Sequence, residues 1–389
     1  MKRPQSPNTR LLRAGRPHKG WVNTPVTRAS SYIFENVEHW RDTRNRRDAE
    51  RMLSYAARGT DSTYALEDAL VELEGGYRAK VFPTGQAAIA TILLGYLGQG
   101  DHVLITDAVY APVRRFCSRQ LSRMGVEHDY YRADGCDLAG RIKPNTRLIY
   151  VESPGSLAYE MVDLPAIVRL ARAHGCLVAV DNTWGSGLLY RPLALGADIS
   201  VMAATKYLGG HSDVMLGTVV TNQAAWQPME EAAVDLGQTV GADDAWLTLR
   251  GMRSLAVRLA AHGQNALTVA RWLQSRPEVA CVHCPALPDS PSHALWLRDC
   301  SGTNGLLTVE FAPMFDAAAA IRFINALQLF GVGASWGGYE SLALPVDMPG
   351  ARTETDWSGR GGMARLHIGL ESPEDLIADI EAALQALRG

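Results

Sequence analysis

Short apolar runs alternate with helical patterns between residues 79 and 203, and this alternation restricts the possible folds more than any other feature. Each run is too short for a helix of its own and reads as a buried strand. Fully apolar strands separated by helices are typical of a mostly parallel sheet with helices on both faces, so we predict an α/β fold. The predicted strands are Ala79–Phe82, His102–Thr106, Leu148–Glu152, Cys176–Val180 and the run that begins at Ile199.

Glycines and polar residues stand at or just after the ends of these predicted strands. In parallel sheets, ligands bind at the edge formed by the carboxyl ends of the strands. The sequence therefore predicts a site at that edge, built from residues that lie far apart in the chain. These residues are Gly85, Tyr110, Ser156, Asp181 and Lys206.

Lys206, one of only five lysines, follows the apolar run that begins at Ile199 and precedes a turn with two glycines. Its small neighbours Ala203 and Ala204 predict that the amine lies at the end of a buried strand. Partial desolvation disfavours the charged form and lowers a lysine pKa. Only the neutral amine attacks a carbonyl, so this position suits a Schiff-base lysine. A surface lysine in a loop is the alternative, and the flanking residues argue against it.

A turn at Pro83–Gln86 connects a predicted strand to a helix over Ala87–Leu97. Free backbone N–H groups at a helix start can bind phosphate. Taken singly, Asp181 could cap a helix, Tyr110 could be a packed aromatic residue and Arg365 could form a surface salt bridge. Together, a buried lysine, a phosphate site, an aspartate, an aromatic ring and an arginine are what pyridoxal phosphate (PLP) requires.

The composition limits the class of protein. With 389 residues, 47 % hydrophobic and 20 % charged, the chain can form two globular domains. The formal net charge of -3 implies no nucleic-acid partner. We expect neither a membrane helix nor a secretory signal, because no apolar run is long enough and the N-terminus lacks an apolar core.

The six scattered cysteines are typical of a reduced cytoplasmic protein. Cys281 and Cys284 form a lone CxxC pair. A structural zinc site needs four ligands, and this pair supplies two. We therefore interpret the pair as part of an ordinary strand and predict no metal site.

Residues 1–60 are expected to form an irregular, arginine-rich arm that reaches a neighbouring subunit. The mixed-charge stretch at residues 41–48 reads as a solvated face. Prolines, which argue against a continuous helix at the start, occur at Pro4, Pro7, Pro17 and Pro25.

Two domains are predicted to follow the arm, over residues 61–245 and 246–389. The second is expected to be a smaller α+β domain that begins with a helix-rich segment. A half-exposed strand is predicted at Leu306–Phe311 and another strand at Ala364–Leu370. The last helix is expected to begin after Ser372.

Several motifs stand in a fixed order along nearly the whole chain. They are Arg28–Ser31, Leu73–Gly76, Gln99–Leu104, Asp181–Trp184, Ala203–Asp213, Ser335–Ser341 and Arg365–Glu371. In content and order they resemble the Cys/Met-metabolism (trans-sulfuration) family of fold-type I PLP enzymes, closest to its bacterial cystathionine β-lyases. The resemblance implies a mostly parallel, seven-stranded-type sheet covered by helices, with a smaller C-terminal α+β domain. The sequence at Glu152–Ser156 resembles the β-lyases, whereas γ-acting relatives usually carry Thr-Pro-x-Asn-Pro there.

The resemblance also implies roles for single positions. Lys206 would hold PLP and shuttle the proton, Asp181 would pair with the ring nitrogen, and Tyr110 would stack on the ring and help to manage protons. Further cofactor contacts are implied for Gly85, Gln86, Thr205 and, from a neighbouring subunit, Tyr55 and Arg58. Substrate contacts are implied for Arg365, Ser335, Trp336, Ser156 and Arg115.

The implied activity is cleavage of L-cystathionine, or of a related S-substituted L-cysteine, to a thiol, pyruvate and ammonia. The implied assembly is a cytoplasmic homotetramer made of two active dimers. Three positions depart from the family pattern: Ala57 replaces an arginine of the arm, Arg115 an aspartate and Ala334 a tyrosine. Three alternatives stay open, namely a γ-elimination or γ-replacement enzyme, a lyase for another cysteine conjugate, and a catalytically weak regulator or scaffold.

Overall fold

Two β-sheets organise the chain in a computed structural model, which describes residues 5–16 and 20–388. The first sheet has seven strands: β1 (Arg78–Phe82), β2 (His102–Thr106), β3 (Glu127–Tyr131), β4 (Thr146–Glu152), β5 (Leu177–Asp181), β6 (Ile199–Ala203) and β7 (Gly217–Thr221). Their spatial order is β1-β7-β6-β5-β4-β2-β3. Only β7 runs against its neighbours, so the predicted mostly parallel, seven-stranded sheet is confirmed.

Helices cover both faces of this sheet. The helices up to the end of the sheet are α1 (Pro7–Leu11), α2 (Val37–Glu50), α3 (Asp61–Glu74), α4 (Gly85–Tyr96), α5 (Ala111–Phe116), α6 (Leu164–Ala173) and α7 (Trp226–Asp235). On one face, α4 and α7 pack with Phe82 and Val201 in one apolar cluster. On the other face, α3 packs with Val81 and Met202 in a second cluster. Adjacent strand residues thus point to opposite faces, which explains why these strands are apolar throughout.

The second sheet has five strands: β8 (Val279–His283), β9 (Leu306–Phe311), β10 (Gly331–Val332), β11 (Leu342–Val346) and β12 (Met363–His367). They follow the order β10-β11-β12-β9-β8, with antiparallel pairs throughout except between β10 and β11. The accompanying helices are α8 (Ala242–Met252), α9 (Leu255–Gln274), α10 (His293–Asp299), α11 (Ala317–Ala326), α12 (Met348–Ala351) and α13 (Pro373–Leu384). This sheet and its helices confirm the predicted α+β region, while the domain boundaries at residues 60 and 245 stay predictions.

Local sequence explains where α3 begins and ends. Thr60 and Thr63 exchange hydrogen bonds between side chain and backbone in a capping box. The helix stops at Gly75, whose φ of 75° is in the left-handed region that glycine adopts at no steric cost. Leu66 and Leu70 are buried on one side of the helix, as its apolar pattern predicts.

Several sequence predictions need correction. The arm is not irregular throughout, because the charged stretch at residues 41–48 belongs to α2, a largely exposed helix held partly by Arg46 between Asp42 and Glu50. Pro7 begins the one-turn helix α1, and Pro4 and Pro17 lie outside the described residues. The strand predicted as half exposed, β9, is buried along its whole length, because helices cover one face and the large domain covers the other.

Other differences concern element boundaries and missed elements. Helix α5 continues through a π-turn over Cys117–Leu121 and a 3-10 turn over Ser122–Met124. The predicted strand 364–370 ends at His367. Strands β3, β7, β10 and β11 were not predicted. The CxxC pair begins within β8, as expected, and Cys284 follows the strand. In the described ranges, no helix has the length and apolarity needed to cross a membrane.

Candidate active site

Lys206 lies in the turn that follows β6, where the two sheets meet. Its Nζ donates a hydrogen bond of 2.7 Å to Oγ of Ser335 and lies 5.3 Å from the ring centre of Trp336. Ser335 and Trp336 belong to the loop between β10 and β11, so residues of the two sheets meet at this amine. The sequence prediction that Lys206 ends a buried strand is confirmed, since β6 ends at Ala203.

The environment of Lys206 favours its neutral form. Burial, with a further contribution from the positive charge of Arg365, lowers the pKa of the Lys206 amine to about 8, and Asp181 opposes this shift. The direction agrees with the expectation from sequence. A lysine with this pKa has a far larger neutral fraction near neutral pH than an ordinary lysine, and its neutral form can attack a carbonyl or accept a proton.

The loop that carries Ser335 is held tightly against Lys206. A Cβ on Gly337 would lie 2.8 Å from the backbone N of Tyr207 and 3.1 Å from Cα of Lys206, and the φ of Gly337 is 88°. Only glycine allows this close approach. Ser335 itself has a φ of 91°, a strained conformation that typically costs about 1–3 kcal/mol. Arg365 holds the strained residue through a 3.1 Å hydrogen bond from Nη2 to the Ser335 carbonyl.

Asp181 is the last residue of β5 and is buried. Thr183 donates to Oδ1 of Asp181 from its backbone N–H at 3.0 Å and from its hydroxyl at 2.5 Å. Burial raises the pKa of Asp181, while the hydrogen bonds from Thr183 oppose the shift. Because both of these bonds use Oδ1, Oδ2 remains able to accept a further donor. A cationic N–H group placed there would keep the carboxylate ionised.

A second buried acid, Glu152, lies directly beside Asp181 on the adjacent strand β4. Its Oε2 accepts the backbone N–H of Tyr110 at 2.7 Å, and its Oε1 accepts the hydroxyl of Ser156 at 2.5 Å. Burial and the neighbouring Asp181 raise the pKa of Glu152. Glu152 thereby fixes two predicted site residues, Tyr110 and Ser156. The ring of Tyr110 is half exposed at the edge of the sheet, and burial with the nearby acids raises its pKa.

The N-terminus of α4 offers the predicted phosphate site. Thr84 caps Ala87, so the backbone N–H groups of Gly85 and Gln86 are not used by this cap. A Cβ on Gly85 would approach Cβ of Ala203 to 2.8 Å, so the helix start lies directly against the end of β6. Thr205 is next to this point and exchanges hydrogen bonds with Leu216 through its hydroxyl. These groups could hold an anion at the same sheet edge as Lys206.

Three predicted residues do not join this cluster through contacts within the single chain. Arg58 pairs with Asp48 at 3.1 Å, and the exposed Tyr55 forms a β-bridge with Ser31 in the arm. Arg115 is exposed on α5, although its charge partly opposes the rise that burial and the nearby acids cause in the pKa of Tyr110.

The structure adds three residues that the sequence did not identify as part of the site. Glu152 could have been found because it ends a predicted strand, as Asp181 does. Thr183 could have been found from the Asp-x-Thr spacing, which is typical of a local turn. Arg352, whose buried guanidinium donates to the Ser156 carbonyl at 2.6 Å and pairs with Glu160, gave no sequence signal because it stands alone in a loop.

The comparisons with known proteins decide the family. The family described as "Cys/Met metabolism PLP-dependent enzyme" matches residues 8–385. The chain belongs to this family. It is similar to a cystathionine β-lyase of Bordetella avium, with 48 % identity over 93 % of this chain and 92 % of the relative. It is also similar to the cystathionine β-lyase MetC of Escherichia coli, with 43 % identity over 96 % and 97 % of the two chains.

A solved structure, that of metB from Corynebacterium glutamicum, has a TM-score of 0.88 and 32 % identity and covers 98 % of both chains. The fold-type I architecture is therefore confirmed, and the cofactor of the family is PLP.

The residues at the site fit this cofactor. Gly85 lets the start of α4 pack directly against Ala203 at the end of β6, next to Lys206, and the Gln86 side-chain oxygen is buried without a hydrogen-bond partner in the protein. Asp181 can receive a protonated ring nitrogen, and Lys206 has the lowered pKa of an amine that binds an aldehyde. These groups come from separate strand ends and meet at one edge, as the sequence predicted.

Proposed function

We propose that the chain cleaves L-cystathionine, or a related S-substituted L-cysteine, by PLP-dependent β-elimination. The products would be a thiol, pyruvate and ammonia, with one water consumed. The observation that carries this proposal is the partly neutral amine of Lys206 beside Ser335, Asp181 and Arg365. Its support is the family membership and the near full-length relatives that are cystathionine β-lyases.

Binding of the cofactor would use Lys206, Asp181, Thr205 and the N–H groups of Gly85 and Gln86. When bound, PLP supplies an electron sink for charge that develops on the substrate α-carbon. Asp181 would stay ionised against the ring nitrogen, with Thr183 holding its other oxygen. Tyr110 would present its ring to the cofactor.

Nζ of Lys206 would accept the α-proton of the substrate and would donate a proton again as the products form. Its pKa of about 8 keeps part of the amine neutral at neutral pH, so it can act as a general base. Ser335 would fix the position of this amine through the 2.7 Å hydrogen bond. Tyr110 would assist in proton transfer at the leaving sulfur.

The substrate carboxylate would bind Arg365, whose guanidinium can form paired hydrogen bonds with it. Ser335 and Trp336 would line the same end of the pocket, and Ser156 would lie on the side of Tyr110. Arg365 already contacts the Ser335 carbonyl at 3.1 Å, so the arginine is oriented before substrate arrives.

The distal end of the substrate would lie near Arg115 and Ala334, which replace an aspartate and a tyrosine of the family pattern. A cation and a small side chain at these positions favour a distal carboxylate or neutral group over an ammonium group. We therefore propose that the elimination chemistry is shared with the β-lyases and that these two positions set which thioether, cystathionine or a related S-substituted cysteine, is preferred.

The active unit would be a dimer, with two dimers forming a homotetramer in the cytoplasm. Tyr55 and Arg58 would reach the cofactor phosphate of the neighbouring subunit from the arm. Arg58 must leave Asp48 to do so, and Ala57 contributes no charge there. Losing one charge-assisted phosphate contact typically costs about 1.5–3 kcal/mol.

A product assay tests the proposal. The purified holoenzyme is given cystathionine, cystine and a panel of S-substituted cysteines, and pyruvate and 2-oxobutyrate are measured separately. We expect pyruvate and a free thiol, and the ratio of kcat/KM between cystathionine and thioethers that lack a distal ammonium shows which substrate Arg115 and Ala334 favour. Release of 2-oxobutyrate would show γ-elimination instead, and the absence of any keto acid would favour a regulator or scaffold.

A further inference from the structure

We propose that Cys281, His283 and Glu310 bind one divalent cation of the borderline-soft class, for which Zn²⁺ is the probe. The three residues lie on strands β8 and β9 of the five-stranded sheet. One ligand atom from each lies within 4.8 Å of the others. The PLP chemistry proposed above uses none of them.

The strand geometry places the three side chains on one face. Cys281 and His283 alternate with Val282, which is buried in the core together with Val309 of β9. Because side chains alternate between faces along a strand, Cys281 and His283 lie on the face opposite to that core. Glu310 is the Cα partner of Cys281 across the ladder and lies on the same face.

The donor types suit zinc and related metals. Thiolate, imidazole and carboxylate are all ordinary zinc ligands, and three protein ligands leave a fourth position for water. Ligand atoms in a tetrahedral zinc site lie roughly 3.3–3.7 Å apart, so the 4.8 Å limit requires side-chain adjustments of no more than about 1.5 Å. His283 Nε2 and Glu310 Oε2 are joined by a 3.0 Å hydrogen bond, which the cation would replace.

The surroundings restrict how the cation can bind. Arg360 Nη1 pairs with Glu310 Oε2 at 3.0 Å, and its guanidinium lies over the ring of Trp357 at 4.2 Å. Glu310 would use its other oxygen for the cation or exchange this partner. The positive guanidinium would repel a bound cation, so Arg360 would have to turn away from Glu310 when the site fills.

This set differs from the CxxC pair that the sequence offers. Cys284 follows β8 and is buried, and the cation-binding group contains Glu310 in its place. Sequence spacing could not reveal Glu310, because the ladder between β8 and β9 brings it to Cys281.

The site shares its face of the sheet with residues near the active site. Thr308, two positions before Glu310 in β9, is the Cα partner of both His283 and Arg365. Its hydroxyl bonds the carbonyl of Leu157 in the large domain at 2.6 Å. A cation here would join the edge strand β8 to β9 on the side that faces the large domain.

Binding of Zn²⁺ or Co²⁺ to the metal-free holoenzyme tests the proposal. We expect about one equivalent of Zn²⁺ in equilibrium dialysis, and thiolate-to-metal absorption with Co²⁺ that shows cysteine ligation. Cys281→Ser and His283→Gln should each weaken binding by at least about tenfold, the lower end of what even outer partners of a metal contribute.

One control separates this site from adventitious binding, and one further variant tests the carboxylate ligand. Cys136→Ser removes the exposed thiol elsewhere on the surface and should leave stoichiometry and affinity unchanged. Glu310→Gln should weaken binding as well, with a thermal melt to show that the variant is folded. Unchanged affinity in Cys281→Ser and His283→Gln, or an equal loss in Cys136→Ser, would overturn the proposal, whatever the outcome of the keto-acid assay.

Discussion

The two sheets present their functional side chains in different ways. In the seven-stranded sheet, Asp181 ends a strand and Lys206 follows one, so parallel strands bring both to one edge. In the five-stranded sheet, Arg365 and Glu310 lie inside antiparallel strands and use one face. A strand-end residue can therefore be specialised for chemistry with little effect on the core, whereas a residue within a strand is also part of the packing.

The largest expected effect comes from Lys206, which follows a strand end of the seven-stranded sheet. Lys206→Ala should lower pyruvate release by at least about 10³-fold, because it removes both the amine that binds the cofactor and the general base. The cofactor-free variant should melt at or above the temperature of the cofactor-free wild type, since a partly desolvated amine is removed. Lys143→Ala, which removes a surface lysine paired with Asp129, is the matched control and should keep full turnover.

The next largest effect comes from comparing two buried aspartates at strand ends of the seven-stranded sheet. Asp181→Asn should lower kcat/KM by about 10²–10³-fold, the usual loss when one group that stabilises developing charge is removed. Asp107 also follows a strand, but it accepts the backbone N–H groups of Thr353 and Glu354 and pairs with Arg114. Asp107→Asn should therefore cost about 1–3 kcal/mol of stability and leave kcat nearly unchanged.

Steady-state kinetics and denaturant melts of both aspartate variants supply the measurements. Equal losses of kcat in the two variants would contradict the division between chemical and structural aspartates at the same edge.

A core substitution behind the five-stranded sheet tests whether packing there can be weakened without changing the chemistry. Leu376 in α13 is fully buried in the apolar cluster behind the five-stranded sheet. Leu376→Ala should lower the free energy of unfolding by about 2–5 kcal/mol through lost burial and a residual cavity. Turnover well below the melting temperature should match the wild type, and a large fall in kcat there would mean that this core positions Arg365 more tightly than its contacts indicate.

The last prediction concerns the dependence of stability on pH. Burial lowers the pKa of His367 to about 3, and its Nε2 accepts the backbone N–H of Gly337 at 3.1 Å. Between about pH 6.5 and pH 3, His367 is protonated in the unfolded chain but neutral in the folded chain. The stability of the folded chain therefore falls as the pH falls through this window. His367→Asn should flatten the dependence of the melting temperature on pH between 6.5 and 4. Parallel curves for the variant and the wild type would show that other groups cause the acid sensitivity.

Much of the fold could be predicted because the strands of the large sheet are apolar on both faces. The strand at His102–Thr106 was predicted with its exact bounds, and the strand before Lys206 was placed correctly. Strand β3 was missed because Glu127–Tyr131 lies at the sheet edge and is mostly polar, with partial exposure. Helix α2 was missed because it has charged residues on all sides and no apolar stripe.

The site was predictable where local sequence fixes geometry and not where tertiary contacts do. Lys206, Asp181 and Gly85 each stand at a strand end that the sequence marks, so their convergence followed from topology. The contacts of Ser335 with Lys206 and Arg365 join segments 129 and 30 residues apart, and no periodicity encodes them. Their residue types could be named from the family resemblance, but the resemblance did not reveal that one serine links both charges.

The position of Arg365 beside Ser335 has a consequence for when Lys206 becomes a strong base. Arg365, hydrogen-bonded to the Ser335 carbonyl, depresses the basicity of Lys206 through its charge. A substrate carboxylate that neutralised Arg365 would lift this influence and make the amine a stronger proton acceptor. The free amine would then gain base strength at the moment the pocket fills, whereas in the empty pocket a larger fraction of it would be uncharged.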